Sequence, residues 1–493
     1  MSKVVDGGRM SIKSYEWSRE EEFLGRENEL KRLNDWWKDS SREPVNLFGR
    51  RRVGKSWLLR KFAHGKPALV LVAENTTSTQ QLSKLAEQLE NALGFTPAIK
   101  DLEDLFRLIF QMAKTKTLII LDEFPYLLGK NPSEISSSLS TVQAAMEKYR
   151  DDSKVKIVIC GSAVAQMEDL QSERNPLHGR LLPMSLKPLE FSVARQFMPS
   201  FDPIEQFTRY SITGGMPRYL SLLSSGSLSS AIANNIVDKD GSLFNETISI
   251  LQSELRETTV YMAILAVLAL KPASVGDLHA GTGVPQTSLI PYLDRLAAIN
   301  VIRRRKPVGA HEGAKSGQWV CDDDFIRFWF HFVGPYIPDL ESGSDATAHV
   351  TAHILPRIHN HVSLTFEEIF KRWARQQYPQ ANNVGTWWGN SLNRLRQAGD
   401  RTSEEVDMVG LQDHNIEIVG EAKWTNKVMP VGVLTDLRNY KIPAMNQSGL
   451  NTPKPPIIVL TNKSGFSQDL IRAAAADATV RLVPAKDILT QVR

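Results

Sequence analysis

Cysteine is almost absent from this sequence, whose 493 residues include only Cys160 and Cys321. Two cysteines cannot build a disulfide framework, which indicates a reducing compartment. Long apolar runs are also missing, because the longest, from Tyr261 to Leu270, has about half of the roughly 20 residues that a membrane span needs. The first residues are polar and lack the apolar centre of a secretory signal. We therefore expect a cytoplasmic protein with no membrane partner.

A strong charge of one sign is missing as well. The chain has 59 Lys and Arg against 55 Asp and Glu, a net charge of +4. This excess is too small to indicate nucleic-acid binding by itself, so any basic surface must be local. With 42% hydrophobic and 23% charged residues, the composition is that of an ordinary globular protein with an ample core. The length predicts roughly two to four domains.

One glycine-containing stretch carries the clearest functional signal. Residues 49–56 (GRRRVGKS) fit the P-loop pattern G-x-x-x-x-G-K-[ST] between a β-prone run and a helical one. That order of strand, loop and helix surrounds an anion with backbone amides, while the lysine can reach the phosphates and the serine can bind Mg²⁺. The contacts with ATP are expected at Gly49, Arg52, Val53, Gly54, Lys55, Ser56 and Trp57.

The residues just before the P-loop allow two interpretations. Phe23 to Glu27 (FLGRE) precedes a helix whose apolar residues include Leu33 and Trp36. By itself this is a turn followed by an amphipathic helix. Ahead of a P-loop, Gly25 and Arg26 can also cover one side of the nucleotide base, and we count them as candidate ATP contacts.

A second strand of the same domain ends in two acids. The run TLIILDEF at residues 117–124 places Asp122 and Glu123 at the end of an apolar strand. In this position Asp122 can hold Mg²⁺, and Glu123 can orient and deprotonate the attacking water. By itself such a run is weak evidence, but following a P-loop it predicts the Walker B strand of an ATPase.

Two further polar residues are candidates with open alternatives. Ser162 follows the strand VKIVIC and can sense the γ-phosphate, or it can simply cap a helix. Arg180, in the segment PLHGR, can act on a phosphate as an arginine finger in cis or in trans, or can form a surface salt bridge. The alternation of strands and helices up to this point predicts a doubly wound α/β domain.

The middle of the chain predicts helices and then a small β-ribbon. Residues 189–256 lack strand patterns, and three helices follow between Thr259 and Ala298. A basic strand with Arg303, Arg304 and Arg305 and a return strand complete a winged helix-turn-helix pattern. In a DNA reader the third helix enters the major groove and the basic wing contacts phosphates. The alternative is a packing or protein-contact module, since the third helix is not strongly basic.

The C-terminal part carries acids and a lysine on two strands. Asp407 lies on one predicted strand, and Glu421 and Lys423 lie on the next, where alternate residues share a face. This is the layout of PD-(D/E)xK nucleases: Asp407 and Glu421 can share Mg²⁺ or Mn²⁺, Lys423 can lie beside the attacking water, and Glu367 can add a carboxylate from the preceding helix. The alternative is a solvated hairpin face on which acids and lysine alternate.

In combination these motifs resemble a known family. FLGRENEL, GRRRVGKS, LDEFPYLL, the strand ending in Gly-Ser, PLHGR and GGMPRYL follow one another as in the archaeal-type ATPases, a branch of the AAA+/STAND P-loop ATPases. The resemblance covers about residues 20–240 and implies an ATPase core with a helical lid. It further implies that Pro217 contacts the adenine and that Arg218 senses phosphate from the lid side.

The C-terminal part is similar to the restriction-endonuclease-like domains that accompany such ATPases. The matching segments are FEEIF, VGTWW, EEVDMVGL and VGEAKW. One departure is Val406, which stands where the nominal motif has proline. The resemblance implies a metal-dependent nuclease, and the four candidate residues of its site are all present.

These observations predict an α/β multidomain protein: a P-loop AAA+-like doubly wound parallel sheet with a helical lid, a winged helix-turn-helix and a C-terminal α/β restriction-endonuclease-like fold. The expected division is a disordered arm (1–20), an ATPase core (21–188), a lid (189–256), a winged helix (257–337), a linker (338–353) and a nuclease-like domain (354–493).

The predicted function is an ATPase whose nucleotide state regulates a Mg²⁺-dependent nuclease acting on nucleic acid, chiefly DNA, with defence or mobile-element maintenance as settings. The alternative is an ATP-switched binding or STAND-like signalling module with an inactive nuclease-like domain. A homo-oligomer or a partner protein is compatible with either prediction.

Overall fold

The computed structural model describes residues 12–41, 43–255, 257–311, 317–392 and 402–492. The chain forms two compact units, one of residues 1–189 with 216–218 and the other of residues 190–215 with 219–493. The helices after Leu189, predicted as a lid, therefore group with the C-terminal part of the chain. Within the described ranges, no helix combines the length and the apolar character needed to cross a membrane.

The first unit contains a five-stranded parallel sheet between helices. The strands are β1 (Val45–Phe48), β2 (Ala68–Val72), β3 (Thr117–Asp122), β4 (Val155–Gly161) and β5 (Leu182–Ser185). The α-helices are α1 (Glu27–Lys38), α2 (Lys55–Ala63), α3 (Ser78–Leu93), α4 (Leu102–Gln111), α5 (Pro132–Tyr149) and α6 (Val164–Asp169), and short 3₁₀-helices lie at Glu20–Glu22 and Phe124–Leu127.

The strand order of this sheet is β2-β3-β4-β1-β5. All residues of β1 and β4 are buried, as expected for central strands covered by helices on both faces. Strand β4 lies between β3 and β1, so the carboxyl ends of these three strands are neighbours. The sequence predicts the doubly wound sheet correctly, whereas this strand order comes from the structure alone.

The prediction of a disordered arm at residues 1–20 is wrong for residues 12–20, and residues 1–11 lie outside the described residues. The backbone N–H of Trp17 donates to Nδ1 of His64 at 3.1 Å, and Ser14 pairs with Pro67. Ile12 and Trp17 are both buried. Isolated apolar residues of this kind show no periodicity, which is why the pattern did not predict that the segment is packed.

The second unit begins with helices and the ribbon predicted for a winged helix. The helices are α7 (Phe191–Ala194), α8 (Pro203–Thr213), α9 (Pro217–Leu222, whose first two residues group with the first unit), α10 (Leu228–Ile232), α11 (Glu246–Glu254), α12 (Thr259–Leu268), α13 (Val275–Thr282) and α14 (Gln286–Ala298), with a 3₁₀-helix at Arg195–Phe197 and a π-helix at Ala233–Val237. Strands β6 (Ile302–Arg305) and β7 (Gln318–Cys321) pair antiparallel, as predicted for the wing.

The predicted linker at residues 338–353 is instead helical. Helices α15 (Asp324–Phe332), α16 (Ile337–Glu341) and α17 (Ala346–His349) are followed by a π-helix at Val350–Ile354, with a 3₁₀-helix at Gly334–Tyr336. Asp345 caps α17 by accepting from the backbone N–H of Thr347 at 2.8 Å. Leu340, Val350 and Ile354 are buried, so tertiary packing overrides a loop-like composition.

The remaining residues form a mixed five-stranded sheet with flanking helices. These elements are α18 (Ile358–Gln377), β8 (Asn383–Asn390), β9 (Ser403–Gln412), β10 (Asn415–Lys423), α19 (Gly432–Asp436), a π-helix (Leu437–Lys441), α20 (Ile442–Gln447), β11 (Ile457–Asn462), α21 (Gln468–Ala475), β12 (Val480–Pro484) and α22 (Ala485–Gln491). The strand order is β12-β11-β10-β9-β8. Strands β8, β9 and β10 pair antiparallel, while β10, β11 and β12 pair parallel.

Candidate nucleotide and metal sites

The P-loop connects β1 to α2 and depends on two glycines. Gly54 has φ +99°, a left-handed backbone conformation that favours glycine. A Cβ on Gly49 would lie 2.3 Å from the carbonyl oxygen of Leu186, so no larger residue fits there. Val53 is fully buried, and Arg52 has φ +66°. The loop is therefore tightly constrained at these positions, as the anion-binding loop predicted from the sequence requires.

The lysine of the P-loop lies inside the loop. Lys55 is buried, and its Nζ donates to the carbonyl oxygens of Gly49 at 2.7 Å and Arg50 at 3.1 Å. The same Nζ donates to Oγ of Ser162 at 2.9 Å. A positive charge thus occupies the centre of the loop, where a nucleotide phosphate would be attracted to it.

The candidate magnesium ligands, Ser56 and Asp122, are joined by a hydrogen bond. Ser56 donates from Oγ to Oδ2 of Asp122 at 3.0 Å, and Oδ1 of Asp122 accepts from the backbone N–H of Glu123 at 3.0 Å. Glu123 has φ +53° and ψ +42°, a left-handed conformation that is strained for glutamate. With this backbone conformation the carboxylate of Glu123 accepts from Ser162.

Ser162 connects the P-loop lysine to Glu123, the residue that follows β3. It follows β4, accepts from Lys55, and donates from Oγ to Oε1 of Glu123 at 2.8 Å. Its backbone N–H also donates to Oε2 of Glu123 at 3.3 Å. Helix α6 has Ala163 at its N-cap and no side-chain cap, so the alternative of a helix-capping serine is wrong. The role of Ser162 as a γ-phosphate sensor stays a prediction.

Several predicted ATP contacts are engaged with the protein itself. The guanidinium of Arg26 is buried and donates to the carbonyl oxygens of Val53 at 3.0 Å and Lys187 at 2.7 Å. Arg26, with Gly25 before it at φ +71°, therefore supports the P-loop from behind. The ring of Trp57 is half-buried and meets the ring of Trp17 edge-on at 5.1 Å between centroids.

The two residues assigned by family resemblance, Pro217 and Arg218, differ in their surroundings. A Cβ on Gly54 would lie 3.7 Å from Cγ of Pro217, which places Pro217 against the P-loop. Arg218 is exposed. Arg180 donates from Nη2 to Oε1 of Glu147 at 2.6 Å, which is the salt bridge that the sequence left as the alternative to a finger role.

The acids and the lysine of the C-terminal domain converge on one point. Strands β9 and β10 pair antiparallel with Met408 opposite Gly420, which brings Asp407 beside Glu421. Nζ of Lys423 lies 3.0 Å from Oε2 of Glu421 and 3.4 Å from Oδ2 of Asp407. Glu421 is 1% exposed and Asp407 8% exposed, so the alternative of a solvated hairpin face is wrong.

The electrostatics of this centre reflect crowded carboxylates. Burial, and then the neighbouring Asp407, raise the pKa of Glu367 well above its ordinary value and also raise the pKa of Glu421. Burial alone would lower the pKa of Lys423, but the carboxylates of Asp407 and Glu421 raise it instead. Glu367 on α18 thus belongs to the same electrostatic cluster as the other three residues.

Two lysines of this centre were not predicted from the sequence. Nζ of Lys441 donates to Oε1 of Glu421 at 2.6 Å, and Lys441 is itself buried. Nζ of Lys371 donates to Oε1 of Glu368 at 2.7 Å and to Oγ1 of Thr386 at 2.8 Å. Neither lysine lies in a recognisable motif, so no signal in the sequence links them to the site.

Two of the three arginines of the wing pair with carboxylates. Arg303 contacts Glu368 at 3.0 Å and Arg305 contacts Glu405 at 3.1 Å, whereas Arg304 is exposed. Beyond β6, the N–H of Val308 donates to the carbonyl oxygen of Thr386 at 2.9 Å. The wing is therefore docked on the C-terminal domain, because Arg303 and Arg305 pair with carboxylates on α18 and β9.

A small cavity separates the wing from α18. It has a volume of about 240 Å³, and Arg303, Arg305, Glu367 and Glu368 are among its lining residues. Pockets for organic ligands usually start at roughly 300 Å³, so this cavity suits water better than a nucleotide. The side chain of Lys423 is 44% exposed, so solvent reaches the centre at Lys423.

The donor atoms suit a hard divalent cation. Asp407 and Glu421 direct oxygens toward one ammonium group, and Mg²⁺ and Mn²⁺ prefer such carboxylate oxygens. In the part of the chain that the structure describes, no three His, Cys, Asp or Glu side chains form a ready-made metal cluster. A cation at this centre would thus rest on two carboxylates and must compete with lysine for them.

Comparisons with known proteins match two parts of the chain. Residues 23–223 match the family described as an ATPase domain predominantly from Archaea. Residues 329–434 match the family DUF234, described as archaeal and bacterial proteins of unknown function. An uncharacterized protein of Methanocaldococcus jannaschii, MJECL04, is 26% identical over 411 residues, which cover 82% of this chain and 87% of that protein.

Two solved structures are similar at lower identity. A Walker-type ATPase of Pyrococcus abyssi is 18% identical with a TM-score of 0.48, over 65% of this chain and 99% of the other. The ORC2 protein of Aeropyrum pernix, solved as ADPNP–ADP complexes, is 14% identical with a TM-score of 0.42, over 66% of this chain and 99% of the other.

Proposed function

We propose that this chain, which carries an archaeal-type ATPase domain at residues 23–223 followed by a DUF234 domain at residues 329–434, is an ATP-regulated nuclease. In this proposal the first unit binds and hydrolyses ATP with Mg²⁺. The C-terminal domain cleaves nucleic acid, chiefly DNA, with Mg²⁺ or Mn²⁺ at Asp407 and Glu421. The nucleotide state decides when cleavage occurs.

ATP hydrolysis is assigned to the residues around the P-loop. On binding, the phosphates replace the carbonyl oxygens of Gly49 and Arg50 as partners of Lys55, and the amides of the loop surround them. Ser56 and Asp122 are the residues that would hold Mg²⁺, which would neutralise charge on the phosphates. Glu123 then leaves Ser162 and accepts a proton from the attacking water, while Ser162 donates to the γ-phosphate.

The nuclease proposal rests on one observation: Asp407 and Glu421 meet at Lys423 in a mostly buried centre. Two carboxylates beside an ammonium group have the donor set for a phosphodiesterase. A bound cation would supply an activated water and neutralise the scissile phosphate. Lys423, held by both carboxylates and 44% exposed, would donate to a phosphate oxygen or orient the water from the solvent side.

Regulation is proposed to pass through the segment at Pro217, which lies against the P-loop. Pro217 and Arg218 group with the first unit, whereas Tyr219 groups with the second. Tyr219 is fully buried, and its hydroxyl donates to Glu246 at 2.8 Å. A displacement of Pro217 or Arg218 by bound ATP would therefore pull on a firmly held residue. Such a switch needs contacts that differ between nucleotide states, and the γ-phosphate supplies them.

The test is cleavage of labelled single- and double-stranded DNA and RNA with Mg²⁺ or Mn²⁺, with and without ATP. The variants are Lys423→Ala and Lys55→Ala, and Lys454→Ala serves as the control because Lys454 pairs with Glu417 on the same strand as Glu421. We expect Lys423→Ala to abolish cleavage and Lys55→Ala to remove its dependence on ATP. Cleavage that persists in Lys423→Ala would place the activity elsewhere.

A second function, an ATP-switched binding module, is favoured by a different observation. Both oxygens of Glu421 are taken by lysines. A domain that only grips nucleic acid or protein does not need a cation. Intact ATP turnover without cleavage of any substrate, together with ATP-dependent retention of labelled DNA, would support this function.

A further inference from the structure

The second lysine of the C-terminal centre lies where a cation would act. Lys441 ends the π-helix Leu437–Lys441, is 8% exposed, and donates from Nζ to Oε1 of Glu421 at 2.6 Å. Glu421 is 1% exposed, and its other oxygen, Oε2, lies 3.0 Å from Nζ of Lys423. Each oxygen of the Glu421 carboxylate therefore has its own ammonium partner. To bind a metal ion, Glu421 would have to release one of these two lysines.

The two lysines differ in exposure and in their carboxylate partners. The Lys423 side chain is 44% exposed and also contacts Asp407, whereas the Lys441 side chain is 10% exposed and has Glu421 as its carboxylate partner. Lys423 can therefore move aside into solvent when a cation arrives between Asp407 and Glu421. Lys441 has no such freedom, because its side chain is buried and withdrawing it from Glu421 would leave a buried ammonium group without this carboxylate.

We propose that Lys441 is a positioning residue that holds one oxygen of Glu421 and takes the place of a divalent cation there. The centre then recruits one cation, at Asp407 and the oxygen of Glu421 that Lys423 releases. A second cation beside the first is excluded by the fixed charge of Lys441, since like charges a few ångströms apart repel strongly in a buried site. This inference rests on the proposed nuclease function, which it narrows to a one-cation centre.

The test measures Mn²⁺ binding to the full chain by calorimetry, without nucleotide. Lys441→Gln removes the charge but keeps a donor for Glu421, and Lys441→Met removes both. Lys441→Arg keeps the charge, and Asp407→Asn identifies which heat signal belongs to this centre. Lys454→Gln is the matched control, because it removes a lysine from an ion pair with Glu417 in the same domain. Circular dichroism checks that each variant is folded.

We expect wild type and Lys441→Arg to bind one Mn²⁺ that Asp407→Asn abolishes. In Lys441→Gln and Lys441→Met, Mn²⁺ should bind about tenfold more tightly or with a second ion, because a repelling charge is gone. An affinity and stoichiometry that stay unchanged in both variants would overturn this inference and leave the nuclease proposal intact.

Failure of the proposed function gives a different pattern. If wild type binds no Mn²⁺ while Lys441→Gln does, Lys441 does replace a cation and the wild-type centre is not metal-dependent. If no variant binds Mn²⁺, both the role of Lys441 and the metal-dependent nuclease are refuted. If Lys441 were merely structural, its variants would alter the melting temperature but not the Mn²⁺ stoichiometry. Lys441→Arg, Lys441→Gln and Lys441→Met would then all bind Mn²⁺ as wild type does.

Discussion

Replacing Ser162 by alanine tests the catalytic arrangement around the P-loop. The hydroxyl of Ser162 accepts from Lys55 at 2.9 Å and donates to Glu123 at 2.8 Å, so the substitution removes two hydrogen bonds to charged groups. Lys55 retains its bonds to the carbonyl oxygens of Gly49 and Arg50. The loop itself should therefore stay folded, and ATP binding should change little.

The rate of ATP hydrolysis should change much more than the affinity. In the transition state Ser162 is expected to supply one hydrogen bond to a charged group, which is worth about 1.5–3 kcal/mol. This energy corresponds to a fall in kcat of roughly 10- to 150-fold. Because Lys55 and the loop amides still hold the phosphates, we expect KM to stay within about threefold of wild type, the pattern of an interaction made in the transition state.

Steady-state phosphate release measures kcat and KM, and a fluorescent ATP analogue measures affinity. Ser162→Thr retains the hydroxyl and should recover most of the activity. Ser140→Ala is the matched control, since Ser140 is exposed on α5 and its hydroxyl donates to the carbonyl oxygen of Ser136. A Ser162→Ala protein with wild-type kcat would refute the assignment of Ser162 as a sensor, and a rise in KM alone would make it a binding residue.

Three further predictions concern stability. Arg26→Met removes the donors to Val53 and Lys187, so the free energy of unfolding in urea should fall by about 2–3 kcal/mol, with weaker ATP binding. Val308→Asp places a charge in the packed contact of the wing and should lower that free energy by about 3 kcal/mol, whereas an unchanged melting curve would show that the wing is not docked. Burial and Asp407 raise the pKa of Glu367, so the folded protein holds a proton that the unfolded chain releases near pH 4.5. The free energy of unfolding without divalent cation should thus fall as pH rises from 4.5 through the raised pKa of Glu367. Calorimetric melts at pH 5 and 8 measure this fall, and added Mg²⁺ should reverse it. A melting temperature that does not depend on pH would contradict the raised pKa of Glu367 as the cause.

Local pattern was sufficient for the elements that carry the candidate site residues. The P-loop between a strand and a helix, the acids at the end of β3 and the three helices before β6 lie where the sequence predicts them. The same is true of the strands that carry Asp407 and Lys423. These features depend on periodicity, glycine placement and turn chemistry, which act over a few residues.

Local pattern failed where packing overrides composition. Residues 12–20 and the predicted linker at 338–353 are polar or loop-like in sequence, yet Trp17, Leu340 and Val350 are buried. The arginines of β6 show the same limit. Their charge allowed either phosphate contacts or packing, and the structure pairs Arg303 and Arg305 with carboxylates from α18 and β9. Charge in a sequence shows what a strand can bind, and only the fold shows which partner is nearest.

The sequence by itself determined that this chain has a P-loop ATPase domain and a later pair of strands bearing two acids and a lysine. It did so because catalytic motifs need fixed residue types at short spacing. Only the tertiary structure decided that β4 lies between β1 and β3, which places Ser162 between Lys55 and Glu123. It also decided that Lys441 binds Glu421 from 20 residues away. Such contacts depend on strand order and helix packing across long separations, which no short stretch of sequence encodes.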